Sequence, residues 1–212
     1  MYQLLMGILQ QIRAETAEMP APKLLHYLLK ERFPGQTLVT ASLKAPSVVV
    51  LKMVSDIDPA TPVVFCNPKP VYPESESYRK RLVDLLGLTN CSVKTEGDSM
   101  KNKYSFLYYE KLVNKYEHGG SSTQNIQLNE TLAPYRCWIK AVYHERFVEP
   151  SESRVEIYGD KIIVDLLHRR SPEAVDSFMN RHGLPYHPKI HHLKNNNKIE
   201  VNSNEDEIGY YF

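Results

Sequence analysis

The sequence predicts an α/β protein, an open and mostly parallel sheet with helices on both faces, and three observations lead there. Short apolar, β-rich runs at Thr37–Ala41, Pro62–Cys66 and Cys91–Thr95 alternate with stretches whose apolar residues recur at helical spacing. Proline and glycine stand at the joints between them. The 212 residues, 42% of them hydrophobic, suffice for one such core and are too few for two full-sized ones.

Leu4, Leu5, Ile8, Leu9 and Ile12 form one helical stripe, and after Pro20-Ala21-Pro22 the residues Leu24, Leu25, Leu28 and Leu29 form a second. Pro34-Gly35 stops that helix, and Thr37–Ala41 follows as a buried strand. Pro46 suits a first helical turn, with Val49, Val50, Met53 and Val54 on the apolar face behind it. The unit then repeats. Pro62–Cys66 is a strand, a proline-rich loop runs from Asn67 to Pro73, and Tyr78, Leu82, Leu85 and Leu86 make a helix that Gly87 ends.

Cys91–Thr95 is a third strand, and from Glu96 to Gln127 the composition turns polar, as an insertion or lid would, around an aromatic-rich helix near Tyr104 to Tyr116. Arg154–Tyr158 and Lys161–Asp165 flank Gly159-Asp160 as a hairpin. Ser171 and Pro172 open a last helix, with Val175, Phe178 and Met179 toward the core and Gly183 at its end. The reading is one α/β domain over residues 1–193, with the polar insertion at 96–127, and a polar C-terminal tail at 194–212.

A formal net charge of +1 excludes a bulk field suited to nucleic acid or to an anionic membrane surface. The apolar stretch at Val48–Val54 is broken by Lys52 and is far short of the roughly 20 residues that span a bilayer. The N-terminal segment reads as amphipathic helix and carries no basic n-region, so a cytoplasmic protein is expected. Cys66, Cys91 and Cys137 stand too far apart for a Cys-x-x-Cys pair or a zinc knuckle. His182, His187, His191 and His192 lack carboxylate or thiolate partners at ligand spacing, and no metal is expected.

In an open α/β sheet the carboxyl ends of the strands hold the ligand. After the first strand, Ser42, Lys44 and Ser47 offer hydroxyls and an ammonium just before a helix N-terminus, where backbone N–H groups and the dipole favour a phosphate. The alternative use of either serine is to cap that helix. After the second strand, the loop from Asn67 is stiffened by prolines and leads directly into a helix, which Ser75 could cap. Glu149-Pro150-Ser151-Glu152-Ser153-Arg154 sets hydroxyls and a guanidinium at the mouth of the hairpin, as either an anion site or a solvated turn.

Taken in order, these segments resemble the phosphoadenosine phosphosulfate (PAPS) reductase family, within the PP-loop, adenine nucleotide α-hydrolase-like folds. Thr40 through Leu51 looks like the family's first strand, phosphate loop and helix, with Ser42 and Ser47 at its serine positions and its glycines and aspartate missing. Phe65-Cys66-Asn67 through Tyr72-Pro73-Glu74-Ser75 resembles the second strand and the helix start that follows, with Asn67 where an aspartate is usual. Glu149, Ser151, Ser153 and Arg154 match the sulfonucleotide loop, whose preceding paired arginines are replaced here by Phe147 and Val148. Gly183-Leu184-Pro185-Tyr186-His187-Pro188 resembles the exit from the late helix, and the resemblance places His187 beside the nucleotide.

The resemblance implies a protein that binds an adenine nucleotide or sulfonucleotide. The family's reductases attack sulfur with a cysteine in a C-terminal Glu-Cys-Gly-type segment, and no cysteine follows Cys137 in this chain. Cys137 alone cannot ligate an iron–sulfur cluster, so no such cofactor is expected, and thioredoxin-coupled reduction by the chain on its own is not expected either. The alternative is a non-catalytic interaction protein on the same scaffold. A protein partner or a homo-oligomer stays open.

Overall fold

The structure, a computed structural model, describes residues 2–67, 73–95, 130–140, 153–168 and 170–189. It opens with helix α1 (Tyr2–Thr16) and helix α2 (Ala21–His26), which runs on as a π-helical segment over Tyr27–Arg32. Strand β1 (Thr37–Ala41) leads into α3 (Ala45–Ile57), then β2 (Val63–Asn67), α4 (Pro73–Leu86) and β3 (Cys91–Thr95). Strand β4 (Cys137–Lys140), the hairpin β5 (Val155–Tyr158) and β6 (Lys161–Asp165), and α5 (Pro172–Arg181) complete the described elements.

The six strands lie in the order β3-β2-β1-β4-β6-β5, and all run parallel except β5, which pairs antiparallel with β6. Gly159 turns the hairpin at φ 58°, a left-handed conformation that glycine adopts without a Cβ clash. Ser171 caps α5 as its sequence suggests, its Oγ accepting the Ala174 N–H at 3.3 Å.

Strand β4 has no counterpart in the sequence reading, yet it takes a central place between β1 and β6. Cys137-Trp138-Ile139 is a short, wholly buried run with no alternation of polar and apolar residues, so its pattern cannot separate strand from buried helix. Its position makes the topological switch point. From β1 the chain winds outward through β2 to β3, then returns to the other side of β1 at β4, which opens a crevice above the carboxyl ends of β1 and β4.

One face of the sheet holds the larger core. Val39, Ala41, Val63, Phe65, Ile139, Ile162 and Val164 pack there against buried residues of all five helices. Strand alternation sends Leu38, Val64, Trp138 and Ile163 to the second face, where they meet Leu132 from a helical turn at 130–132. The Trp138 indole N–H donates to Thr40 Oγ1 at 2.8 Å, which ties β4 to β1 beside the switch point. The polar insertion at 96–127, its aromatic helix and the tail at 194–212 lie outside the described residues.

Candidate functional site

The carboxyl end of β1 runs directly into a hydroxyl pair. Ser47 Oγ accepts the Ser42 backbone N–H at 2.9 Å, the two Oγ atoms are 3.0 Å apart, and Ser42 Oγ accepts the Lys44 N–H at 3.3 Å. Only one hydroxyl proton is needed to bridge the pair, so the other remains to donate to a ligand. Both serines are buried, Ser42 at 9% and Ser47 at 2% relative exposure, so this arrangement is a built loop rather than a solvated turn.

Neither serine caps α3. Lys44 occupies the N-cap position with no side-chain cap hydrogen bond, and the Val48 N–H to Lys44 carbonyl bond, at 3.1 Å, begins the helical ladder. The start of α3 therefore keeps its positive dipole end uncovered by any carboxylate of its own first turn. Ser42, Lys44 and Ser47 are brought together there, and Asn67 ends β2, the strand next to β1. The side chain of Asn67 lies outside the described residues, as do Glu149 and Ser151.

Arg154 has another occupation than the one its motif suggests. It lies at the same carboxyl edge, since the Asp165 N–H at the end of β6 donates to its carbonyl. Its guanidinium, however, turns to α1 and donates to the carbonyls of Thr16, of Met19 at 2.6 Å and of Ala17 at 3.4 Å. These carbonyls lie at and just beyond the C-terminal end of α1, where a planar fork of donors can meet several acceptors at once. Arg13 of α1 returns the contact, its Nε donating to the Val155 carbonyl at 2.8 Å. Ser153 Oγ accepts the Val155 N–H at 3.2 Å, a local turn bond. The structure does not bring Arg154 to the Ser42–Ser47 loop, because closing α1 onto the edge strand takes up its donors.

His187 lies at 2% relative exposure under α4. Its Nε2 is 3.0 Å from Ser75 Oγ, its Nδ1 accepts the Lys189 N–H at 3.3 Å, and its ring meets Tyr78 edge-on at 5.0 Å. With Nδ1 accepting, the proton sits on Nε2 and is donated to Ser75, which is the wrong tautomer for activating that serine as a nucleophile. Burial holds the imidazole below its usual pKa, opposed by Glu74. Tyr78 donates to the Pro185 carbonyl at 2.7 Å, and the Lys189 ammonium lies 3.5 Å from Glu74. These contacts fasten the chain after α5 to the start of α4, so Ser75 serves this clasp and not the capping that its sequence position suggests.

Burial pushes the Cys66 and Cys137 thiols up to about 12 and raises Cys91 as well. Among the described residues no group of three or more His, Cys, Asp or Glu side chains is placed to hold a metal ion, and no helix is long and apolar enough to cross a membrane.

The architecture is a mostly parallel α/β sheet with its switch point beside β1 and a strand–loop–helix unit running from β1 into α3. Comparison with known proteins narrows this. The chain is 26% identical over 191 residues to the phosphoadenosine 5′-phosphosulfate reductase of Alkalilimnicola ehrlichii, covering 87% of this chain and 77% of that protein. It is 25% identical over 169 residues to the adenosine 5′-phosphosulfate reductase of Mesorhizobium japonicum, covering 76% of this chain and 63% of that protein. A PAPS reductase from Candida auris, solved as a phosphate complex, superimposes with a TM-score of 0.62 at 12% identity, over 88% of this chain and 90% of its own. Yeast FAD synthetase in complex with FAD superimposes at 0.54 and 13% identity, over 89% of this chain and 68% of its own. At such identities the two structures bear on the fold alone. No protein-family model matches the chain. The protein is PAPS reductase-like in sequence and in fold.

Proposed function

We propose that the protein binds an adenine nucleotide or sulfonucleotide above the carboxyl end of β1, with a phosphate or sulfate at the first turn of α3. The observation that carries this reading is the Ser42–Ser47 pair, which offers a hydroxyl proton beside a helix start whose own N-cap residue makes no side-chain cap. The relatives named for sulfonucleotide reduction support the ligand class. Lys44, at the N-cap, adds positive charge next to the same pole. What these groups contribute to any chemistry at the bound phosphate or sulfate is positioning and electrostatic stabilisation.

Reduction through a thiolate of this chain is not part of the proposal. At neutral pH, thiols held near 12 are almost wholly protonated, and the thiolate is the nucleophile. A thermal-shift titration with ATP, adenosine 3′,5′-bisphosphate and PAPS tests the binding. A ligand at 100 times its dissociation constant stabilises the fold by about 2.7 kcal/mol, which for a domain of this size raises the melting temperature by roughly 5–10 °C. No shift with any of the three would favour the interaction-protein alternative.

A further inference from the structure

We propose that the outer edge of β3 is a docking surface for a second copy of this chain, the two β3 strands pairing antiparallel about a two-fold axis at Val93.

The sheet has two edges, and the fold treats them differently. At β5 the edge is tied to α1, where Arg13 Nε donates to the Val155 carbonyl at 2.8 Å and Arg154 donates back to carbonyls at the end of the helix. At the other edge, β3 pairs among the described residues with β2 alone. An open row of strand N–H and C=O groups is a template for another strand. The large hydrophobic side chains exposed among the described residues belong to this same end of the sheet, Val93 of β3 at 40% and Leu85 of α4 at 55% relative exposure. Val93 is in register with Phe65, which shares a core with Tyr78, Leu82 and Leu86 of α4, so Val93 stands on the face that α4 covers.

The register of β3 fits its own copy. The Val63 N–H donates to the Asn90 carbonyl at 2.9 Å, and the backbone groups of successive strand residues point to opposite sides. Asn90, Ser92 and Lys94 therefore direct their backbone groups to β2, while those of Cys91, Val93 and Thr95 face outward. That outward set is symmetric about Val93. An antiparallel copy places Val93 against Val93, with Cys91 against Thr95 on either side, each pair exchanging both its N–H···O bonds. Ser92 then meets Lys94, and no like charges are opposed along the strand. On α4, Arg81 and Asp84 precede Leu85, so two copies of this surface present both signs of charge to each other rather than one. The pairing also closes. It uses up both β3 edges, and the β5 edges left at the ends of the joined sheet are engaged by α1, so assembly stops at two copies.

Sedimentation equilibrium of the full chain tests the proposal. The wild type should self-associate to twice the mass of the chain. Val93→Lys and Val93→Glu should each weaken that association by about tenfold, because each removes an apolar contact and sets like charges against each other at the axis. Mixing the two variants should restore the dimer, since lysine then opposes glutamate. A wild type that stays monomeric at the highest concentration reached overturns the proposal. So does a dimer that neither variant weakens, or a weakening that the mixture does not repair. Should the charged variants lose their cooperative unfolding transition, Val93→Cys carries the test. Residues paired at the axis lie about 5.5 Å apart between Cα atoms, a separation that a disulfide spans. Oxidation by air and copper should link two copies of Val93→Cys through a bond that a reductant reverses and that the wild type does not form, and absence of the link overturns the pairing.

Discussion

At the carboxyl edge of the sheet, the end above β1 and the end above β5 each gather hydroxyls and a basic side chain, and they use them differently. Above β1, Ser42 and Ser47 satisfy each other and nearby backbone N–H groups, and the first turn of α3 carries neither a side-chain cap from its N-cap residue nor an acidic residue. Above β5, Arg154 donates to three carbonyls at the end of α1, and Arg13 reaches back to the edge strand. Both ends show serine and a cation in sequence. What separates them is the neighbour: a helix N-terminus presents donors and attracts anions, while a helix C-terminus presents acceptors and attracts a guanidinium.

The contrast is broken most directly at Arg154. Arg154→Ala removes charge-assisted hydrogen bonds worth about 1.5–3 kcal/mol, so the melting temperature should fall by roughly 3–12 °C while nucleotide affinity changes by less than about twofold. Calorimetric melting beside a binding titration checks both, and a variant that melts normally but no longer binds would return Arg154 to the ligand. Ser47→Ala should show a mixed outcome. It strands the buried Ser42 N–H, at a cost of about 1–2 kcal/mol, and it weakens AMP and the bisphosphate alike, since both place a phosphate at α3.

The smallest effect belongs to the His187 clasp. Because burial lowers the folded-state pKa of His187, the unfolded chain takes up the proton first as pH falls below about 6.5. Its contribution to stability is complete above that value, declines down to the depressed folded-state pKa, and is flat below it. Urea midpoints between pH 8 and pH 5 should therefore fall more steeply for the wild type than for His187→Gln. Parallel curves would remove the clasp from the account of pH dependence.

Much of the architecture was legible because it is written in local patterns. Helical stripes, breakers and the Gly159 turn mark α1 through α5, three parallel strands and the hairpin within a few residues of where they lie. The β4 strand was not, because four residues of one buried run have no period to read. The partners of Arg154 stand 135 to 138 residues away in sequence, and Ser75 and His187 are 112 apart, so their pairings leave no local mark.

The sequence by itself determined the α/β class, the alternation that builds the parallel half of the sheet, and the placing of Ser42, Lys44 and Ser47 around the junction of a strand and the helix that follows it. These follow from backbone preference and hydrophobic period, which act over a few residues. Tertiary structure alone decided that β4 enters beside β1, that Arg154 closes α1 and that His187 fastens the chain to α4. Those outcomes depend on which unsatisfied donors and acceptors from distant segments meet when the core closes, and no short-range pattern records that.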